Sequence, residues 1–171
     1  MESEQSVEAG EPTIAAPTAP TGSSAGKPPH QQWRYLVAVG IGGAVGTSAR
    51  FLITELSSAR LSQPAATMII NILGSFLLGL LLEALACRGP DVGSRRLLRL
   101  LLGTGVLGGF TTYSTLALDV QSYLRQGQPL LAAGYGLGSI VLGLLAAAAG
   151  VWLATVIHRG GRRPVKTGST P

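Results

Sequence analysis

The stretch Gly103-Thr104-Gly105-Val106-Leu107-Gly108-Gly109-Phe110-Thr111-Thr112 decides the architecture of this chain. It lies inside an apolar run, 97–124, that has the length of a membrane-crossing helix, yet Gly103, Gly105, Gly108 and Gly109 fall within seven positions. Each glycine in a helix interior costs about 0.5–1 kcal/mol relative to alanine, so a break near Gly108 is cheap. Carbonyls freed by a break in hydrocarbon must be met by protein or by an ion, which ties an interrupted helix at that depth to a functional centre. The same residues also read as packing, because Gly105 and Gly109 form the GxxxG spacing by which membrane helices approach closely. Spacing alone leaves both readings open.

Three further apolar runs surround this one, at 34–54, 67–86 and 129–157. Each is long enough for the roughly 20 helical residues that cross a hydrocarbon core of about 30 Å. Breakers separate the runs: 57–64, which ends in Pro64, then Arg88-Gly89-Pro90-Asp91, then Arg125-Gln126-Gly127-Gln128-Pro129. The expectation is an all-α membrane protein of four transmembrane helices with the third broken. Residues 33–158 form this domain. Residues 1–32, rich in Ser, Thr, Pro, Ala and Gly with four of the acids, read as a disordered, solvated tail without the basic start and apolar core of a secretory signal. Residues 159–171 read as a basic C-terminal tail.

Composition supports lipid burial. Hydrophobic residues make up 46% of the chain and charged residues 12%, against about 25% charged in an ordinary soluble domain. A single cysteine, Cys87, excludes an intrachain disulfide, and two histidines leave no zinc set. Metal-dependent hydrolysis is therefore not expected, and the chain is not read as an enzyme. The net charge of +5 sits in clusters flanking the apolar runs rather than in a stripe suited to nucleic acid.

Those clusters orient the chain. One side holds Lys27, Arg34, Arg88, Arg95, Arg96, Arg99, Arg159, Arg162, Arg163 and Lys166, while the other holds only Arg60 and Arg125. Such a bias places both termini in the cytoplasm of a multi-pass protein of the cell inner membrane or plasma membrane. Arg50 remains, within the first run, as an anchor at the outer interface or part of an anion-attracting vestibule.

Few polar groups lie deep. Asn71 stands alone among Met68, Ile69, Ile70, Ile72 and Leu73, and reads either as an interhelical hydrogen bond or as a pore amide offering two N–H donors to an anion. Ser75 shares its helix face, and Ser139 is the lone hydroxyl between Gly138 and Ile140. Either serine could line a path or bond its own helix. Glu83, Glu55 and Asp119 lie toward span ends, so the mid-membrane zone lacks an acid, which weighs against proton coupling.

Three segments taken together carry a resemblance: Gly42-Gly43-Ala44-Val45-Gly46-Thr47-Ser48-Ala49-Arg50-Phe51, 67–79 around Asn71, and 105–115 with Gly-Gly-Phe-Thr-Thr-Tyr-Ser-Thr. In order and spacing the chain resembles the Fluc/CrcB fluoride channels over 34–157. The resemblance implies an antiparallel, dual-topology dimer with two narrow fluoride pores, and a structural sodium ion at its centre. The sodium would be held by backbone carbonyls of Gly108 and Thr111 in each subunit. It also implies that Asn71, Ser75, Ser139, Tyr113 and Leu116 line the pore. The family has phenylalanines at the last two positions; Tyr113 keeps a ring edge, whereas Leu116 has none.

Two other readings stand beside this one. A small multidrug-resistance-type transporter is also an antiparallel dimer of four-helix subunits, but it needs a mid-membrane carboxylate in the first helix, and Glu55 is too near the end. A non-conducting partner subunit is the other. An antiparallel homodimer requires one sequence to insert both ways, hence nearly balanced basic residues, so the charge bias favours a heterodimer with a paralogous subunit over a homodimer.

Overall fold

The computed structural model describes residues 32–160, which are helical apart from short turns. Helix α1 is Trp33–Ser57, α2 is Gln63–Ala86, α3 is Ser94–Leu98, α4 is Gly108–Phe110, α5 is Tyr113–Arg125 and α6 is Pro129–Gly160. Between α3 and α4 the chain continues as a π-helical segment, Arg99–Leu107. The expected tails fall outside the described residues except for Gln32, Arg159 and Gly160; the last two extend α6 past the expected boundary at 158.

Three helices, α1, α2 and α6, are long and apolar enough to cross a membrane. At 1.5 Å per residue, the 25 residues of α1 and the 24 of α2 reach about 37 and 36 Å, and the 32 of α6 reach about 48 Å. Helix α2 starts at Gln63, earlier than the run beginning at Thr67, because Pro64 sits in its first turn, where proline's missing N–H costs nothing. The run 97–124 is the exception. It leaves the helical conformation at Thr111 (ψ 156°) and Thr112 (φ −145°, ψ 122°), so neither half is long enough to cross alone.

That break lies three residues beyond Gly108, which is itself helical (φ −65°, ψ −36°). The glycines before it serve packing. A Cβ on Gly42 or Gly46 of α1 would strike the backbone of Leu101 or Val106, one on Gly105 would come within 2.9 Å of Gly42 Cα, and one on Gly109 within 2.5 Å of the Gly43 carbonyl. Two GxxxG faces therefore meet, α1 against the π-helical segment and α4, with backbone on backbone. The packing reading of the glycine run holds, while the break expected near Gly108 falls instead at Thr111 and Thr112.

Helices α2 and α6 make the second close crossing, through Gly79 against Ala147 and Gly150 against Phe76. Apolar side chains across the outer faces, Ile41, Phe51, Leu144 and Trp152 among them, are exposed on the single chain, as suits a surface solvated by acyl chains or covered by another subunit.

Replacing Gly46 with valine should prevent α1 from seating and sharply reduce folded protein. Gly40→Ala, where a Cβ meets nothing within 4 Å, should leave the melting temperature in detergent unchanged or raise it, by up to about 1 kcal/mol of stability. Equal melting of both variants would show that the two glycine faces do not meet.

Candidate functional site

The break is held by one side chain. Asn71 of α2 donates through Nδ2 to the Thr112 carbonyl at 2.9 Å and accepts from the Thr112 amide at 2.8 Å through Oδ1. A primary amide has a donor and an acceptor side by side, so it can replace both bonds that an interrupted backbone loses at one residue. In a continuing helix the Thr112 amide would bond Gly108, so its turn toward Asn71 releases the Gly108 carbonyl. Downstream, Thr112 restarts the helix as an N-cap: its Oγ1 accepts from the Thr115 amide at 3.2 Å.

Upstream, Arg50 takes part. Its Nε donates to the Gly109 carbonyl at 3.4 Å, and Thr47 Oγ1 donates to the same oxygen at 3.3 Å. Arg50 therefore reaches inward to the break instead of anchoring at the outer interface. It lines a cavity of about 230 Å³ with Thr54, Gln63, Thr67 and Thr112. The packing of α1 on α4 through Gly46 and Gly109 places it there.

On the opposite side of the break, α2, α5 and α6 enclose a laterally open groove of about 450 Å³ with largely apolar walls. Asn71, Ser75, Tyr113, Leu116 and Ser139, the five side chains singled out in the sequence, all line it. Their states differ. Ser139 donates to the Tyr135 carbonyl of its own helix at 2.7 Å and is buried. Ser75 has no hydrogen-bond partner among the described residues. Asn71 spends one of its two N–H bonds on Thr112, so one remains. Leu116 is buried, while Tyr113 is 80% exposed on the single chain.

The two carbonyls implied for sodium, Gly108 and Thr111, both belong to the break. Neutral carbonyl oxygens are ligands of the kind that replace an alkali cation's water shell. The donor chemistry fits, but two oxygens do not surround a cation, and further ligands would have to complete the shell.

Two features escaped the sequence reading. Tyr135, one turn before Ser139, places its hydroxyl 3.0 Å from Asp119 Oδ2 and 3.1 Å from the Pro64 carbonyl, two acceptors that share its one proton. It thereby ties α6 to α5 and to the start of α2, and Gln63 Nε2 reaches the same aspartate at 3.4 Å. A buried tyrosine hydroxyl demands a partner, which was the available signal. Glu83 accepts from Thr155 Oγ1 at 3.3 Å and Cys87 Sγ at 3.4 Å, so it bridges α2 and α6.

Comparison with known proteins gives a consistent set of relatives. The model of the family described as CrcB-like protein, Camphor Resistance (CrcB), matches residues 37–151. The protein named fluoride-specific ion channel FluC 2 of Leifsonia xyli subsp. xyli is 43% identical over 138 residues, covering 81% of this chain and 94% of its own length. The fluoride-specific ion channel FluC of Deinococcus radiodurans is 46% identical over 120 residues, covering 69% and 90% respectively. That of Cereibacter sphaeroides is 44% identical over 127 residues, covering 70% and 97%.

Removal of the amide tests the clamp. Asn71→Leu leaves the Thr112 amide and carbonyl without partners, at about 1–3 kcal/mol each, and should lower the melting temperature well below that of Ser139→Ala. Equal stability of the two variants would show that Asn71 does not support the break.

Proposed function

The chain belongs to the CrcB-like family, and on that footing we propose that it is one subunit of a fluoride-selective channel giving passive export of cytoplasmic fluoride. One observation carries the reading: Asn71, Ser75, Tyr113, Leu116 and Ser139, from three helices, share a single groove beside the helix break. Fluoride is small and strongly hydrated, so its path needs neutral donors and weakly positive ring edges that replace water without trapping the ion. The free N–H of Asn71 and the hydroxyl of Ser75 are such donors, and Tyr113 offers a ring edge.

The groove is open on one flank, and a second subunit closes it. In this reading 94–125 crosses the membrane as the broken third of four spans, and two subunits pack antiparallel with their breaks together. A sodium ion then sits among the Gly108 and Thr111 carbonyls of both. The termini face the cytoplasm of the inner or plasma membrane. The multidrug-transporter alternative is not favoured, since Glu55 lies exposed in the last turns of α1 and does not line the groove. Charge bias makes the partner a paralogous subunit of opposite orientation, able to supply the ring that Leu116 lacks.

Fluoride-electrode efflux from liposomes tests the conduction path. Asn71→Asp puts a negative charge in an anion path and keeps only the acceptor half of the Thr112 clamp, so it should abolish flux and lower the melting temperature less than Asn71→Leu; normal flux would remove Asn71 from the path. This chain alone should give little efflux, and a paralogue of reversed bias should restore it. Robust efflux from the pure chain, with tags on the termini found on both sides, would overturn the heterodimer.

The sodium site has its own test. A Cβ at Gly108 meets only the Gly103 carbonyl, at 3.8 Å, within the subunit, so Gly108→Val should fold yet fail to dimerise. Thr111→Ser, which leaves the backbone ligand in place, should be mild. A fully active Gly108→Val dimer would show that the break does not lie at the subunit interface.

A further inference from the structure

The turn joining α2 to α3 gathers arginines in a way that the conduction site does not use. Between residues 88 and 99 lie Arg88, Arg95, Arg96 and Arg99, with Asp91 the one acid. The turn is built to hold them. Gly89 takes the left-handed region (φ 117°), and a Cβ there would strike the Arg95 guanidinium. The Arg95 guanidinium packs against Gly89 and donates through Nη1 to the Arg88 carbonyl. Asp91 draws in the other two, Arg99 Nη2 at 2.7 Å and Arg96 Nε at 3.7 Å, and Arg96 also donates to the Asp91 backbone carbonyl at 3.0 Å.

Donors outnumber acceptors in this turn. Each guanidinium carries five N–H donors in a planar fork, while one carboxylate and two backbone carbonyls accept from three of them. Arg99 Nε is buried without any hydrogen-bond partner among the described residues. The charge left over is positive. All four residues are arginine rather than lysine, which favours planar, bidentate contact with phosphate oxygens.

Position selects the source of that phosphate. Apolar α2 ends at Ala86, so the turn that follows sits at the level of the headgroups. Val92, Leu98 and Leu102, beside the arginines, are exposed and offer a surface to acyl chains. We propose that the arginines of the α2–α3 turn form a binding site for the phosphate of an anionic phospholipid, whose chains lie along Leu98 and Leu102. A soluble acidic polypeptide would match the charge but not the adjoining apolar strip.

The test uses the full-length protein in mixed micelles with phosphatidylglycerol or phosphatidylcholine, reading retained lipid by native mass spectrometry. Wild type should retain phosphatidylglycerol about tenfold more than phosphatidylcholine, a preference expected of charge-assisted contacts near the surface. Arg95→Gln/Arg96→Gln should lose that preference, and Arg125→Gln, at the opposite end of the bundle, should keep it. Melting of the wild type gives a readout that needs no variant: phosphatidylglycerol should raise the melting temperature above its value in phosphatidylcholine. Equal retention and equal melting in the two lipids would overturn the site and leave an acidic polypeptide as the cluster's partner. An undiminished preference in the folded double variant would overturn it as well. Neither readout depends on which ion the protein conducts.

Discussion

A backbone group released inside hydrocarbon has to be bonded by the protein, since no water is there to do it. Here that requirement falls on Thr112, and Asn71 meets it with both halves of one amide. Much of the groove's form follows. The clamp fixes how α2 lies against the break, sets where α5 restarts, and so determines how Tyr113 and Leu116 present themselves beside Ser75. Asn71 is at once a structural strut and a wall of the groove, because its second N–H is not needed by the backbone.

The glycines of α1 make the complementary contribution. By letting α1 touch the π-helical segment and α4 backbone to backbone, Gly42 and Gly46 bring Thr47 and Arg50 within reach of the Gly109 carbonyl. One freed oxygen is thereby satisfied from the side away from the groove. The two flanks of the break are thus chemically distinct: a guanidinium and hydroxyls on one, neutral donors between apolar walls on the other.

Much of this was legible in the sequence, for reasons that differ by element. Helices α1, α2 and α6 are read directly from uninterrupted apolar runs, because lipid makes the length of a helix a matter of composition. A break was one of two readings that Gly103 to Gly109 left open, and its location was not legible. Glycine cost says only where interruption is cheap, whereas the actual exit at Thr111 depends on a residue 41 positions away. The gathering of Asn71, Ser75 and Ser139 with Tyr113 and Leu116 was legible only through resemblance to a family. The inward reach of Arg50 and the Tyr135–Asp119 bond required the helix crossings themselves.

The π-helical segment Arg99–Leu107 bears on how this protein can change over evolutionary time. Its wider turn is visible where the Gly108 amide reaches back five residues to the Gly103 carbonyl. A π turn accommodates one residue more than an α turn over the same rise, so it behaves as an insertion that the helix absorbed. Winding the same residues as ordinary α-helix would swing everything downstream by about 100°. Thr112 would then leave Asn71, and the N-cap, the groove and the freed carbonyls would rotate with it. The extra residue and the wide turn can therefore be gained or lost only together.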